Sequence, residues 1–329
     1  MRWLIKLIVI AAIGWSGYWF IGARGQEQLL AVWLENNREA GWTAETKTMG
    51  VTGFPNRFDT IITGLNLQDP ESGWGWVAEE FQIFALSYKP NHLIMAWPGL
   101  QTITTPEGNV TIEGSQMRGS VELGASTNLP LERLRFEGSE IVVSTDMGWD
   151  GTILGANIAL FQVEGEPQRY RLGVDMAEIS IPQKYMPLIV QLGQNSNLIS
   201  RILASIYVDF DQQIDRNALT DGLPTWRNMD VDSVSVTWGR ASLTITGSLT
   251  PADNGYIDGH LDFHVENWRM LFAAFRQMSN LRLSELASVE TALNRVAQGT
   301  NLDFTLRFEN GKTLIGPMTI GPALINPFF

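Results

Sequence analysis

Two of the chain's three histidines sit in one stretch, GYIDGHLDFHVEN, from Gly255 to Asn267. On an extended strand Asp258, His260, Asp262, His264 and Glu266 share one face, and Ile257, Gly259, Leu261, Phe263 and Val265 the other. His260, Asp262 and His264 are of types that ligate zinc, and neighbouring same-face positions are about 7 Å apart, so three convergent ligands are conceivable. A metal-dependent envelope hydrolase built on those three residues is one expectation. The competing expectation is the wet face of a β-strand. The preceding run SLTITGSL alternates Ser242, Thr244, Thr246 and Ser248 with Leu243, Ile245, Gly247 and Leu249, and TPADNG joins the two runs. Paired, they would stack hydroxyls opposite imidazoles and carboxylates over an aliphatic underside. A flat strand spreads Asp258 to Glu266 over about 27 Å, and zinc favours four ligands. The chain has no cysteine and one further histidine, His92, so a metal would need donors from another element. We therefore expect no metal and no cofactor here, and assign no catalytic residue. His92 opens the apolar run HLIMAW and is expected at a strand end.

No phosphate-binding loop, dinucleotide-binding glycine pattern, HExxH or GxSxG motif is present. GWGW at Gly73–Trp76 lacks the following helix that phosphate binding needs, and reads as a turn. A formal net charge of −12, with scattered Lys and Arg, argues against nucleic acid as a partner.

The elements that would position these residues are mostly strands. FDTIITGLNLQDP, EEFQIFALSYKP, HLIMAWPG, RFEGSEIVVST, TILGANIALFQVEG and YRLGVDMAEISIP are short apolar runs punctuated by Gly and Pro. HLIMAW, FQIFALSY and ILGANIALF are apolar on both faces, which suits central strands or the walls of an apolar channel. From Gln183 to Tyr207 the spacing turns helical and predicts two short helices broken around Gly193 to Asn197, with Asn195 or Ser196 capping the second. Helices are also expected near Trp268 to Met278 and from Ser284 to Gln298, and a hairpin turning at Asn310-Gly311. The fold class expected is α+β and β-rich: an N-terminal transmembrane helix, then antiparallel sheets, with helices mainly in the second half. The parts are 1–24, an anchor; 25–182, a β-rich exported domain with a leading helix over QEQLLAVWLENNREAG; and 183–329, an α+β exported domain.

Location is read from MRWLIKLIVIAAIGWSGYWFIGARG. Residues 7–23 are 17 uncharged residues, near the lower limit of about 17 for a spanning helix. Trp3, Trp15, Tyr18 and Trp19 suit membrane interfaces. Arg2, Lys6 and the amino terminus outweigh Arg24, which leaves the N-terminus cytoplasmic and the body exported. A cleaved signal peptide is the rival, since Ile21-Gly22-Ala23 is a passable processing site; the bulky Tyr18-Trp19-Phe20 argues against it.

Three motifs, GVTGFPNRFDTIITGLNL, YKPNHLIMAWPG and GKTLIGPMTIGPALINP, resemble a family of membrane-anchored alphaproteobacterial envelope proteins known as a domain of unknown function, family number 2125. The likeness rests on Gly53-Phe54-Pro55 with Arg57, Phe58 and Asp59, on Pro90-Asn91-His92 with Trp97-Pro98, and on the repeated Gly-Pro near the end. It implies a Gram-negative source and a periplasmic body attached to the inner membrane, and it carries no catalytic residues. Physically, Gly53 and Pro55 let the chain turn, and Arg57 and Asp59 fall two apart on one strand face, able to pair with neighbours. The function expected is non-enzymatic: an envelope protein whose apolar sheet surface binds lipid or docks another envelope protein. The oligomeric state is left open.

Overall fold

The computed structural model describes residues 2–146, 148, 150–180, 197–219, 222–278 and 282–326. The chain divides into two units, Met1–Ala125 with Phe136–Gly151, and Ser126–Arg135 with Thr152–Phe329. The chain passes between the units in the connection before Ser126 and inside the two strands Leu131–Thr145 and Asp150–Val163.

Unit 1 begins with α1 (Arg2–Glu39), one 38-residue helix, about 57 Å long at about 1.5 Å per residue. The anchor and the leading helix are therefore continuous. Helices mainly in the second half is thus corrected: α1 alone outlasts the two later α-helices among the described residues, of 11 and 14 residues. The cause is local. No Gly or Pro interrupts residues 26–40. The helix stops where Gly41, at φ 91°, lets its amide reach Arg38 O and the Trp42 amide reach Asn37 O, which satisfies the last carbonyls.

Nine strands follow in this unit, the last only in part: β1 (Thr43–Glu45), β2 (Thr48–Thr52), β3 (Arg57–Gln68), β4 (Gly75–Leu86), β5 (Lys89–Ala96), β6 (Gln101–Thr105), β7 (Gly108–Glu113), β8 (Arg118–Leu123) and β9 (Leu131–Thr145). All the pairings are antiparallel. β4 is shared, its start pairing with β6 and its end with β5, while β3 runs along its whole length. Leu30 and Leu34 of α1 pack on Ala44, Ile62, Leu65, Leu67 and Ala78 to form the core. Leu29 and Trp33 remain exposed.

Unit 2 is an antiparallel meander in chain order: β10 (Asp150–Val163), β11 (Glu166–Ser180), β12 (Leu198–Phe210), β13 (Trp226–Trp238), β14 (Ala241–Pro251), β15 (Ile257–Glu266), β16 (Asn301–Glu309), β17 (Lys312–Ile315) and β18 (Met318–Pro322). Helices α2 (Trp268–Met278) and α3 (Leu283–Val296) lie between β15 and β16, close to where the spacing predicted them. Asn310 (φ 53°) and Gly311 (φ 74°) make the two-residue turn, both left-handed as a type I′ turn requires. Tyr170 is fully buried. Its hydroxyl donates to Leu131 O and accepts from the Ile214 amide, 3.2 Å each, tacking 126–135 onto this unit.

The second helix expected between 183 and 207 is corrected, because Leu198–Phe210 is strand β12. Ile199, Ile202, Leu203 and Ile206 satisfy a helical spacing, but Ile202, Ala204, Ile206 and Val208 satisfy a strand equally well. β-Branched content and ladders to both β11 and β13 decide for the strand. The first of those helices, and the Asn195 or Ser196 expected to cap the second, lie outside the described residues.

Candidate functional site

β15 puts the opening histidines on a polar face. Its register against β14 sets Ser248 beside His260, Thr246 beside Asp262 and Thr244 beside His264, the arrangement the alternation implied. On its other side β16 brings Arg307, Thr305 and Asp303 level with the same three residues. Asp262 Oδ1 accepts from the Thr305 hydroxyl at 2.5 Å, His264 Nδ1 lies 2.5 Å from Asp303 Oδ1, and His260 Nε2 lies 3.8 Å from Asp262 Oδ2. Neighbouring strands thus take up these polar atoms pairwise. Among the described residues no three His, Asp or Glu side chains gather to hold a metal ion.

The hydrogen bond and charge of Asp303, with Glu266 adding a little, push the His264 imidazole above its ordinary 6.5. A raised histidine favours the folded state fully below the unfolded value and loses that contribution as pH rises through the folded value. We expect an NMR titration of His264 to give a midpoint above 6.5. We also expect the urea midpoint of His264→Gln to converge on wild type as pH rises past it. A His264 midpoint at or below 6.5 would contradict the pairing.

The opposite face of the same sheet is apolar without a break. Ile158, Val174, Ala204, Val234, Ile245, Phe263 and Phe304 stand level across seven strands, and two residues along, Ala156, Met176, Ile202, Val236, Leu243, Val265 and Leu302 repeat the pattern. Trp268, Leu271 and Phe272 of α2 with Val289, Ala292 and Leu293 of α3 cover the β15–β16 end. Ile158, Val174, Ala204 and Val234 lie outside the clusters that these helices form and are half-buried.

In unit 1 the short motifs converge. Alternation along β4 turns Gln82, Phe84 and Leu86 to one face, and β5 adds His92, Ile94 and Ala96. With Trp97-Pro98, Gln116, Met117 and Arg118, and with Arg57 at the start of β3, they line a cleft of about 650 Å³. His92 is the fourth residue of β5, level with Glu122 of β8 and 3.5 Å from its carboxylate, so it sits inside the ladder rather than at a strand end. Arg57 Nη2 meets Asp59 Oδ2 at 2.5 Å, so these two pair with each other. Gly53 is held at φ 101°, where a Cβ would stand 2.8 Å from Arg57 O. Sequence reading passed over Arg118 and Met117; EGSQMRG carries no spacing that marks it.

The loop from Gly53 to Phe58 is fastened to α1. Trp15 Nε1 donates to Pro55 O (2.9 Å), Trp19 Nε1 to Arg57 O (2.7 Å) and the Tyr18 hydroxyl to Ser87 O (2.7 Å). Two turns on, Gln26 donates to Thr60 Oγ1 and Glu27 accepts from the Val51 amide. Trp19, assigned to the membrane interface by sequence, is only 5% exposed, and its ring stacks on Phe58. Trp3, Ile8 and Ile10, earlier on the helix, are 74%, 57% and 70% exposed, and α1 is long and apolar enough to cross a membrane.

A family model described as an uncharacterized protein conserved in bacteria, DUF2125, matches residues 19–323. No curated protein and no solved structure matches the chain.

Proposed function

Because the chain belongs to the DUF2125 family of uncharacterized bacterial proteins, we propose a single-pass, inner-membrane-anchored envelope protein, non-enzymatic, with a periplasmic body that binds lipid on an apolar β-sheet surface. The observation that carries this reading is the change of character along α1. Residues 7–14 are apolar and exposed on all sides, and from Trp15 onward one stripe packs on the folded sheet and its loop, through Trp19, Leu30 and Leu34. A helix apolar all round needs lipid or protein around it. Arg2 and Lys6 before the run and the acidic Glu27 and Glu35 after it favour a cytoplasmic N-terminus. The lipid part is supported by the unbroken apolar rows of unit 2, whose β10–β13 end is half-exposed. The hydrolase alternative on His260, Asp262 and His264 stands second, because Thr305 and Asp303 already engage two of the three groups.

Alkaline carbonate should leave the chain in the membrane pellet, and protease added to spheroplasts should digest the body. Native mass spectrometry after gentle detergent extraction should recover bound phospholipid, and Val174→Asp with Val234→Asp should reduce it. A carbonate-soluble chain would end the anchor reading. Lipid-free protein would end the lipid reading.

A further inference from the structure

Length decides how deep unit 1 sits beside its anchor. The uncharged run of α1, residues 7–23, rises about 26 Å at about 1.5 Å per residue, against a hydrocarbon core of about 30 Å. None of that run can be spared if α1 crosses the membrane, as proposed above and on which this inference rests. Residues 7–14, exposed on all sides, supply only about 12 Å. Trp15 to Ala23 must therefore lie within the bilayer, and so must the parts of unit 1 bonded to Trp15, Tyr18 and Trp19.

Those parts are two. In the Gly53–Phe58 loop the carbonyls of Pro55 and Arg57 accept from the indoles of Trp15 and Trp19, and in the turn between β4 and β5 the carbonyl of Ser87 accepts from the Tyr18 hydroxyl. Arg24, the first charge after the run, stands nine residues past Trp15 and four past Phe20, about 13 Å and about 6 Å along the axis. Loop and turn are thus held below the level of Arg24.

What they present fits that depth. Phe54 is 50% exposed and stacks on Phe20, and Tyr88 is 66% exposed. Such rings settle at the boundary between headgroups and acyl chains. A bilayer also demands that backbone polar groups be satisfied internally. Here Gly53 O accepts from the Asn56 and Arg57 amides and Asn56 O from the Ser87 amide, while α1 takes up the carbonyls of Pro55, Arg57 and Ser87. The nearest cations, Arg57 and Lys89, start β3 and β5, both exposed and long enough to reach toward the phosphates.

We propose that the Gly53–Arg57 loop and the Ser87-Tyr88 turn are a second membrane contact, a tip of unit 1 that enters the body-side leaflet of the bilayer α1 crosses. Phe54, Phe20 and Tyr88 sit at its headgroup–acyl boundary.

The chain has no cysteine, so single cysteines report one site each. Full chains carrying Ile10→Cys, Phe54→Cys, Tyr88→Cys or Ser72→Cys, labelled with the fluorophore NBD, are reconstituted into phosphatidylcholine vesicles with or without doxyl-labelled phosphatidylcholine. Ile10, 70% exposed in the uncharged run, reports the anchor; Ser72, exposed in the turn after β3, at the opposite end of that strand from Arg57, reports water. Labels at 54 and 88 should lose intensity to the doxyl lipid, emit to the blue of the label at 72 and resist aqueous iodide. Tyr88 has no ring contact or side-chain hydrogen bond among the described residues, so Tyr88→Cys decides where Phe54→Cys disturbs the fold. Quenching of the label at 10 by doxyl lipid, with those at 54 and 88 open to iodide alone, overturns the tip and leaves the anchor. A label at 10 that doxyl lipid does not quench overturns the anchor reading and this proposal together. Labels at 54 and 88 shielded from both quenchers would place a second copy of the chain on the tip, and overturn the lipid contact.

Discussion

Gly259→Ala is expected to destabilise unit 2 by about 4 kcal/mol or more, enough to unfold a marginal domain. Gly259 sits in β15 at φ 133°, and an added Cβ would stand 2.2 Å from Ser248 O and 3.0 Å from Leu249 Cα. Its diagonal neighbour Gly247, in β14 at φ 145°, would place a Cβ 2.3 Å from His260 O. In each case the obstacle is the partner strand's backbone, held by the ladder, so no flexible side chain can swing aside. Left-handed strain adds about 1–3 kcal/mol to the overlap. Urea unfolding should show a much lower midpoint for Gly259→Ala and Gly247→Ala, while Thr250→Ala, exposed on β14, should stay within about 0.5 kcal/mol of wild type. Wild-type stability in either glycine variant would mean that β14 and β15 approach less closely than their register requires.

These two glycines show what the sequence carried and what it withheld. Alternation alone placed the faces of β14 and β15 and set hydroxyls opposite imidazoles and carboxylates, because a period of two has only two solutions and one buries aliphatics; the register itself came from the paired strands. Asn310-Gly311 announced its turn because few residue pairs tolerate two left-handed positions in a row. Gly247 and Gly259 looked like gaps in an apolar face; that they mark a close backbone approach appears only once the strands are paired. β12 was misread because Ile199, Ile202, Leu203 and Ile206 fit both periods, and the ladders that decide between them are non-local. The cleft of unit 1 was illegible for the same reason. Arg57 and Arg118 line one cleft only because β4 gives its end to β5 and β5 in turn pairs with β8. The resemblance did point at Arg57, His92 and Trp97-Pro98, and those residues meet; read singly, each had seemed structural.

The attachment of unit 1 to its anchor helix hangs on one side chain to an unusual degree, and Trp19→Ala is expected to loosen it by about 3–5 kcal/mol. Trp15, Trp19, Gly22, Ala23, Gln26, Leu30 and Leu34 recur at helical spacing, so one stripe of α1 faces the sheet from Trp15 onward. Trp19 is the buried tryptophan of that stripe. Its ring lies 5.8 Å from Phe58 and 5.4 Å from Phe54, centroid to centroid, and its indole N–H satisfies Arg57 O. Gly22 leaves room for the Phe58 ring, which would stand 2.7 Å from a Cβ there. Removing the indole opens a cavity between helix and loop and strands a carbonyl at once. Trp19→Phe keeps most of the apolar contact and should cost only about 1 kcal/mol. Hydrogen exchange reads this directly, since the amides of Asn56, Arg57 and Ser87 are bonded within the loop. In Trp19→Ala their protection should fall by about two orders of magnitude or more, one order for each 1.4 kcal/mol lost, while the core amides of β3 and β4 change little. Carbonate-resistant membrane association should persist, because the exposed apolar residues up to Phe20 are untouched. Unchanged exchange in the loop would show that Gly53–Phe58 folds without the helix.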